Sequence, residues 1–175
     1  MLFETERLYL RKITPDDFDD WRKILSDAET MKHYPAPYDD AGVRRWVDWT
    51  LNNYEKYGFG LWAIILKETG EFIGDCGITM QSINGRMLPE IGYHLNKSFW
   101  RKGYASEAAR KCTEYAFEVL HFPAVYSYMT SANIASRGVA VRNGMKFIEE
   151  YEDGAHGSTF VYAITYDEWK NASRA

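Results

Sequence analysis

The segment FWRKGYASEA, residues 99–108, sets two cations and a glycine ahead of what reads as the first turn of a helix. A helix start leaves N–H groups without intrahelical partners and carries partial positive charge, so it favours an anion. Gly103 lets the backbone approach an oxygen with no Cβ in the way, Ala105 keeps the next turn small, and Arg101 and Lys102 add positive charge. A strand, a short loop and a helix start in that order make a cradle suited to phosphate. Two commoner phosphate loops are excluded, because the chain has neither G-x-x-x-x-G-K-S/T nor G-x-G-x-x-G. On spacing alone, a glycine hinge among solvated charges fits the segment equally well.

Other chemistry is limited by composition. Cys76 and Cys112 are the only cysteines, and neither lies in a CxxC or Cys/His cluster, so no metal site is expected and both read as small buried residues. The net charge of −4 argues against a general nucleic-acid binder, which needs a basic face. Aromatic residues make up 16% of the chain, enough to line a pocket as well as a core. The N-terminal MLFETERLYL has no long apolar core, so it does not read as a signal peptide. No apolar run approaches the ~20 residues of a membrane span. A soluble cytoplasmic protein is expected. The 175 residues show no repeat or linker, and residues 1–175 are expected to form a single domain.

The elements that must position the cradle follow from periodicity. RLYLRKI (7–13) alternates like a strand with one wet face. Residues 14–27 read as a helix with Thr14 as N-cap and Pro15 at its first position, burying Phe18, Trp21, Ile24 and Leu25. A second helix, 41–58, ends at Gly58. FGLWAIIL (59–66) is a strand buried on both faces, and 71–80 pairs with it as a hairpin. Asn84–Gly85 signals a tight turn into the strand 88–95, in which Gly92 suggests a bulge or a close approach to the backbone. Then come a helix at 104–120, a strand at 124–130, a helix at 133–144 with Asn133 as N-cap, and strands at 145–151 and 158–169. The fold class is α+β, with one mixed, mostly antiparallel sheet flanked by helices on both faces. The strand–helix–strand run from 88 to 130 supplies its parallel crossover.

Four stretches, ETERLYLRKITPDD, PEIGYHLNKSFWRKGYASEA, NIASRGVAVRNGMKF and VYAITYDEW, give the chain a resemblance to the GNAT family of acyl-CoA-dependent N-acyltransferases over nearly all of residues 4–169. It most resembles the branch of ribosomal-protein N-terminal alanine acetyltransferases, the Rim type. The family's loop pattern is Gln/Arg-x-x-Gly-x-Gly/Ala; here Trp100, Gly103 and Ala105 stand at its fixed places, and Arg101 stands where the branch often has glycine. The resemblance implies that the N–H groups of Arg101, Lys102, Gly103, Tyr104, Ala105 and Ser106 hold the pyrophosphate of acetyl-CoA. It also implies that the strand ending at His94 and Leu95 pairs with the pantetheine arm, after splaying from its neighbour. Asn133 and Ser136 match the family's N-x-x-S. Each also reads as ordinary helix-start chemistry, Asn133 as a cap and Ser136 as a first-turn serine.

The chemistry so implied is direct acyl transfer to an amine, which must lose a proton to a base before it attacks. Glu90 is the candidate base, with His94 second. A backbone N–H near Leu95 is placed to hold the oxyanion, and Ser136 is the candidate acid for the departing thiolate. The acceptor is expected to be a small amine, such as a polyamine or aminoglycoside, or a protein N-terminus. It would be drawn by an acidic rim of Glu29, Asp39, Asp40, Glu152 and Asp153. A non-catalytic acyl-CoA sensor and, less favoured by charge, an RNA-binding module are the readings from other classes. No metal, nucleic acid or membrane partner is expected, and a homodimer stays open because edge strands could pair.

Overall fold

A computed structural model of the chain describes residues 3–154 and 157–172. Its strands are β1 (Phe3–Glu4), β2 (Leu8–Lys12), β3 (Leu61–Leu66), β4 (Phe72–Ile83), β5 (Arg86–Leu95), β6 (Ala124–Thr130), β7 (Lys146–Asp153) and β8 (Gly157–Thr165). Its α-helices are α1 (Phe18–Leu25), α2 (Asp40–Tyr57), α3 (Tyr104–Glu118), α4 (Ile134–Arg142) and α5 (Tyr166–Ala172). The strands form one sheet in the order β1-β2-β3-β4-β5-β6-β8-β7. Every pairing is antiparallel except β5 with β6.

Side-chain alternation in β3 explains its continuous apolar run. Leu61 and Ala63 join a cluster with Trp21, Ile24 and Leu25 of α1 and Val43 and Val47 of α2. Trp62, Ile64 and Leu66 join the larger cluster on the other face, with Ala108, Ala109 and Cys112 of α3. The sheet is therefore covered on both faces, as a run of that kind requires. Cys76 and Cys112 are buried there, as expected, with their sulfurs 3.5 Å apart.

Local signals account for most boundaries. Thr14 and Asp17 form a capping box over a 3-10 turn at Pro15–Asp17, so the first helix begins in two stages and ends at Leu25. Gly58 ends α2 in the left-handed region, at φ 78°. Asn84 and Gly85 both take positive φ, 46° and 74°, which lets a two-residue turn join β4 to β5. Both strands run past the apolar pattern, β4 to Ile83 and β5 from Arg86; Ile83 is fully buried there while Arg86 and Met87 are exposed.

Two expectations need correction. Residues 158–169 are not one strand: β8 stops at Thr165 and α5 begins at Tyr166. Thr165 Oγ1 accepts from the Glu168 N–H at 3.3 Å while the Glu168 carboxylate accepts from the Thr165 N–H at 3.0 Å, a capping box spelled T-Y-D-E in the sequence. The short strand β1, paired to β2 through Phe3↔Leu10, was not indicated by any periodicity. No helix among the described residues is long and apolar enough to cross a membrane.

Candidate active site

β5 is held to β4 by ten register pairs, from Gly74↔Leu95 to Ile83↔Arg86, but to β6 by Glu90↔Tyr126 alone. Past that pair the parallel strands part, as the resemblance implied. Gly92 lies opposite Gly77 in unbroken register, so it is not a bulge. The Asn96 N–H donates to Ile73 O at 2.9 Å, which fixes the alternation: Glu90, Gly92 and His94 turn their main-chain groups toward β4, and Ile91, Tyr93 and Leu95 turn theirs toward the gap. Ser127 Oγ donating to Ile91 O at 2.9 Å and Trp100 Nε1 donating to Leu95 O at 2.8 Å agree with that alternation. The main chain of His94 therefore faces β4 and not the gap, contrary to expectation, and His94 lines the cleft through its side chain instead. The gap opens into a cleft of about 1020 Å³.

One end of the cleft is the loop between β5 and α3. Arg101 and Gly103 both adopt left-handed backbone, at φ 61° and 85°. The first helical bond of α3 runs from the Glu107 N–H to Gly103 O, so the six consecutive N–H groups of residues 101–106 have no acceptor among the described residues. Left-handed residues spaced in this way turn successive N–H groups into an anion-binding concavity. Arg7 braces the loop from the start of the sheet. Its guanidinium donates to Lys102 O at 2.9 Å, pairs with Glu107 at 2.6 Å and lies 4.5 Å from the Tyr104 ring centre. Ser106 Oγ accepts from Arg142 Nε at 3.0 Å. Unpaired N–H groups, exposed Arg101 and Lys102, and a position without Cβ together fit a diphosphate.

On the α1–α2 side of the sheet the cleft is walled by aromatic rings. Trp46 lies 5.7 Å from Tyr38, 5.1 Å from Trp49 and 5.7 Å, edge-on, from His94. Glu90 is the only carboxylate among the described residues lining the cleft. Burial pushes its pKa up to about 7, against the lowering effect of the Thr79 hydroxyl at 3.1 Å and of nearby His94. A second polar chain runs inward from the cleft wall. The Tyr34 hydroxyl lies 2.7 Å from His94 Nε2, His94 Nδ1 lies 3.0 Å from Asp75 Oδ1, and Trp21 Nε1 donates to Asp75 Oδ2 at 2.6 Å. Burial lowers the His94 pKa, but Asp75 and Glu90 more than offset it and leave the imidazole above its ordinary value.

The expected acidic rim is not part of this cleft. None of Glu29, Asp39, Asp40, Glu152 and Asp153 lines it. Glu29 pairs with Lys32 at 2.8 Å, Asp39 caps α2 through the Gly42 N–H, and Asp40 lies 3.6 Å from Arg22. These three carboxylates serve local structure, while Asp153 lies near enough to the cleft residue Tyr128 to raise its pKa.

On the α3–α4 side, Asn133 does cap α4, accepting from the Ser136 N–H at 3.1 Å. The Ser136 hydroxyl donates to the Tyr93 hydroxyl, 3.0 Å away, which in turn donates to Ser136 O at 2.9 Å, and both residues line the cleft. Tyr93 is thus a site residue that the motifs did not indicate, as are Tyr34, Asp75 and Arg7. Asp75 did leave a trace, an acidic residue inside the apolar run FIGDCGI, where burial demands partners.

Residues 7–146 match the family described as acetyltransferase (GNAT) domain. The chain belongs to the GNAT acetyltransferases. An uncharacterised N-acetyltransferase, p20 of Bacillus licheniformis, is 36% identical over 149 residues, which is 83% of this chain and 82% of p20. Among solved structures, the acetyltransferase from Agrobacterium tumefaciens shares 30% identity at TM-score 0.78, over 93% of this chain and 92% of that one. RimL, a ribosomal L7/L12 alpha-N-protein acetyltransferase solved in complex with coenzyme A, shares the fold at TM-score 0.74 and 19% identity, over 94% and 97%. This GNAT enzyme brings the splayed strands and the loop of unpaired N–H groups to one cleft.

Proposed function

We propose that this enzyme transfers an acetyl group from acetyl-CoA directly to a primary amine, with Glu90 as the base. The observation that carries the reading is Glu90 itself, with its pKa raised to about 7, standing where β5 and β6 part in a cleft that also reaches the open loop. A base in that range accepts a proton near neutral pH and gives it up readily. The N–H groups of residues 101–106 would hold the pyrophosphate, and the free edge of Tyr93 and Leu95 would take the pantetheine arm. The Leu95 N–H faces the gap and suits the developing oxyanion. The Tyr93–Ser136 pair suits the departing thiolate: the Ser136 hydroxyl donates to the Tyr93 hydroxyl, which donates to Ser136 O and could turn that proton to the sulfur instead.

A cleft with one carboxylate favours an acceptor with one amine. A polyamine or aminoglycoside carries several ammonium groups, and Lys32, His33 and Arg45 line the same cleft. A peptide N-terminus or a small monoamine with an apolar body suits the aromatic walls better. The test is free thiol release from acetyl-CoA with alanine- and serine-initiated peptides, phenethylamine, spermidine and kanamycin, beside a control without amine. Release with a monoamine or peptide supports the reading. Release with spermidine or kanamycin alone would overturn the acceptor class, and no release with any amine would overturn acetyl transfer.

A further inference from the structure

A base must be held in place as well as buried, and the sheet shows how Glu90 is held. Side chains two residues apart on a strand share a face. On the face of Glu90, β5 also carries Leu88 and Gly92, and β4 sets Gln81, Thr79 and Gly77 opposite them, through the pairs Gln81↔Leu88, Thr79↔Glu90 and Gly77↔Gly92. The glycine pair offers no side chain against which the carboxyl can pack. The carboxyl leans over that notch, with Oε2 3.4 Å from where a Cβ on Gly92 would stand. Its one hydrogen bond among the described residues is to Thr79 Oγ1, 3.1 Å from Oε2.

We propose that Thr79, which accepts from Gln81, holds the Glu90 carboxyl over the Gly92 notch and favours its ionised form. The inference rests on the acetyl-transfer reading above and adds a positioning residue to it. Hydrogen-bond chemistry fixes the direction. The Gln81 amide donates through Nε2 to Thr79 Oγ1 at 3.3 Å, so the single hydroxyl proton of Thr79 is left for Glu90 Oε2. Thr79 is 2% exposed, so water does not readily stand in for it. Thr79, Gln81 and Glu90 all line the cleft.

A hydroxyl that donates to a carboxylate stabilises the charged form over the neutral one. Thr79 acts on Glu90 in that sense, against the burial that pushes the carboxyl up to about 7. With Oε2 accepting from Thr79, the proton that Glu90 binds belongs on Oε1. The titratable groups that bear on Glu90 are Tyr34 after α1, Tyr93 and His94 on β5, Tyr128 on β6 and Tyr151 on β7. All of them remain when Thr79 is changed. Thr79 touches neither substrate in this account and acts through Glu90.

Thr79→Val removes the hydroxyl and keeps the β-branched shape, whereas Thr79→Ser keeps the hydroxyl and loses the methyl. Both are compared with wild type by kcat/KM against pH, using the best amine from the panel above. The Glu90 carboxyl is also titrated directly by ¹³C NMR in enzyme labelled at glutamate Cδ, with Glu90→Gln identifying its signal. Thr79→Val should move the Glu90 midpoint about one unit to the alkaline side in both measurements, the shift that one hydrogen bond to a charged group supplies. On the alkaline plateau its kcat should fall about threefold or more, with the KM for acetyl-CoA within about twofold of wild type. Thr79→Ser should keep the wild-type midpoint, which a loss of packing would not do. A Thr79→Val midpoint equal to that of wild type, or a Thr79→Ser midpoint shifted as far as that of Thr79→Val, would overturn the role of Thr79 alone. No thiol release by wild type with any amine would overturn acetyl transfer and the use of Glu90 as its base. The NMR shift does not depend on turnover, so it tells the two failures apart.

Discussion

Glu90 and Tyr126 form the one register pair that joins β5 to β6 among the described residues. The proposed base therefore stands where a closed sheet becomes an open cleft. That position buries the carboxyl enough to raise its pKa while leaving it beside the gap that a thioester and an amine would share.

Burial of Glu90 has a cost that depends on pH. Its pKa rises from the ordinary 4.5 to about 7 in the folded chain. A raised folded pKa means that the folded state binds the proton more tightly, so this contribution to stability is present below 4.5 and is lost as pH rises through about 7. Glu90→Gln should be more stable than wild type by about 1–2 kcal/mol at about pH 8, with the difference vanishing on the acid side. Urea unfolding at both pH values checks this, and equal stability at the alkaline value would mean that Glu90 is not held neutral by its surroundings.

Arg101 and Gly103 should respond in opposite senses. Arg101 holds φ 61°, a conformation that costs an ordinary side chain about 1 kcal/mol. Arg101→Gly should raise Tm by about 2–4 °C. Gly103→Ala puts a Cβ at φ 85°, 3.3 Å from the Arg7 guanidinium, and should lower stability by about 1 kcal/mol or more. It should also raise the KM for acetyl-CoA. Thermal melts and acetyl-CoA titrations of the two variants decide between this loop geometry and a simple charged hinge.

Arg7 acts on the loop from the far end of the sequence. Because its partners are Lys102 O, Glu107 and the Tyr104 ring, Arg7→Ala should loosen the loop rather than the chemistry. The KM for acetyl-CoA should rise about three- to tenfold with kcat little changed, since a site less ordered before binding loses affinity. A fall in kcat at unchanged KM would contradict that role.

Two glycines on facing strands should differ sharply. A Cβ at Gly77 would lie far inside contact distance of Gly60 O, and backbone cannot yield there, so Gly77→Ala should not accumulate as folded protein. A Cβ at Gly92 meets nothing nearer than the Glu90 carboxylate at 3.4 Å. Gly92→Ala should fold and keep its turnover, because that is an ordinary van der Waals contact that leaves Glu90 in place. Soluble yield and thiol release, measured on both variants, test the pair.

How much was legible in the sequence differed by kind of information. The element order from β2 to β8, the two-sided burial of β3 and the Asn84–Gly85 turn followed from periodicity and local turn chemistry, which act over a few residues. The left-handed glycine and helix start at 103–104 were legible because both signals are local, but spacing alone did not separate a phosphate loop from a hinge, and that reading came from the family resemblance. The start of α5 was written in Thr165 and Glu168 and was masked by the apolar run before it. Tyr34, Asp75 and Tyr93 were not legible as site residues, because their roles arise from contacts 60, 54 and 43 positions apart in the chain. The acidic rim failed for a related reason. Charge in a loop does not say which way the loop faces, and Glu29, Asp39 and Asp40 found local partners instead.

The most direct test of the account is amine-dependent thiol release from acetyl-CoA by wild type and Glu90→Gln, followed across about pH 5.5–9. The account expects wild-type kcat/KM to rise with a midpoint near 7, where Glu90 loses its proton, and expects Glu90→Gln to fall about a hundredfold without losing affinity for acetyl-CoA. Wild-type release that ignores the amine, or a Glu90→Gln profile that matches wild type, would contradict it.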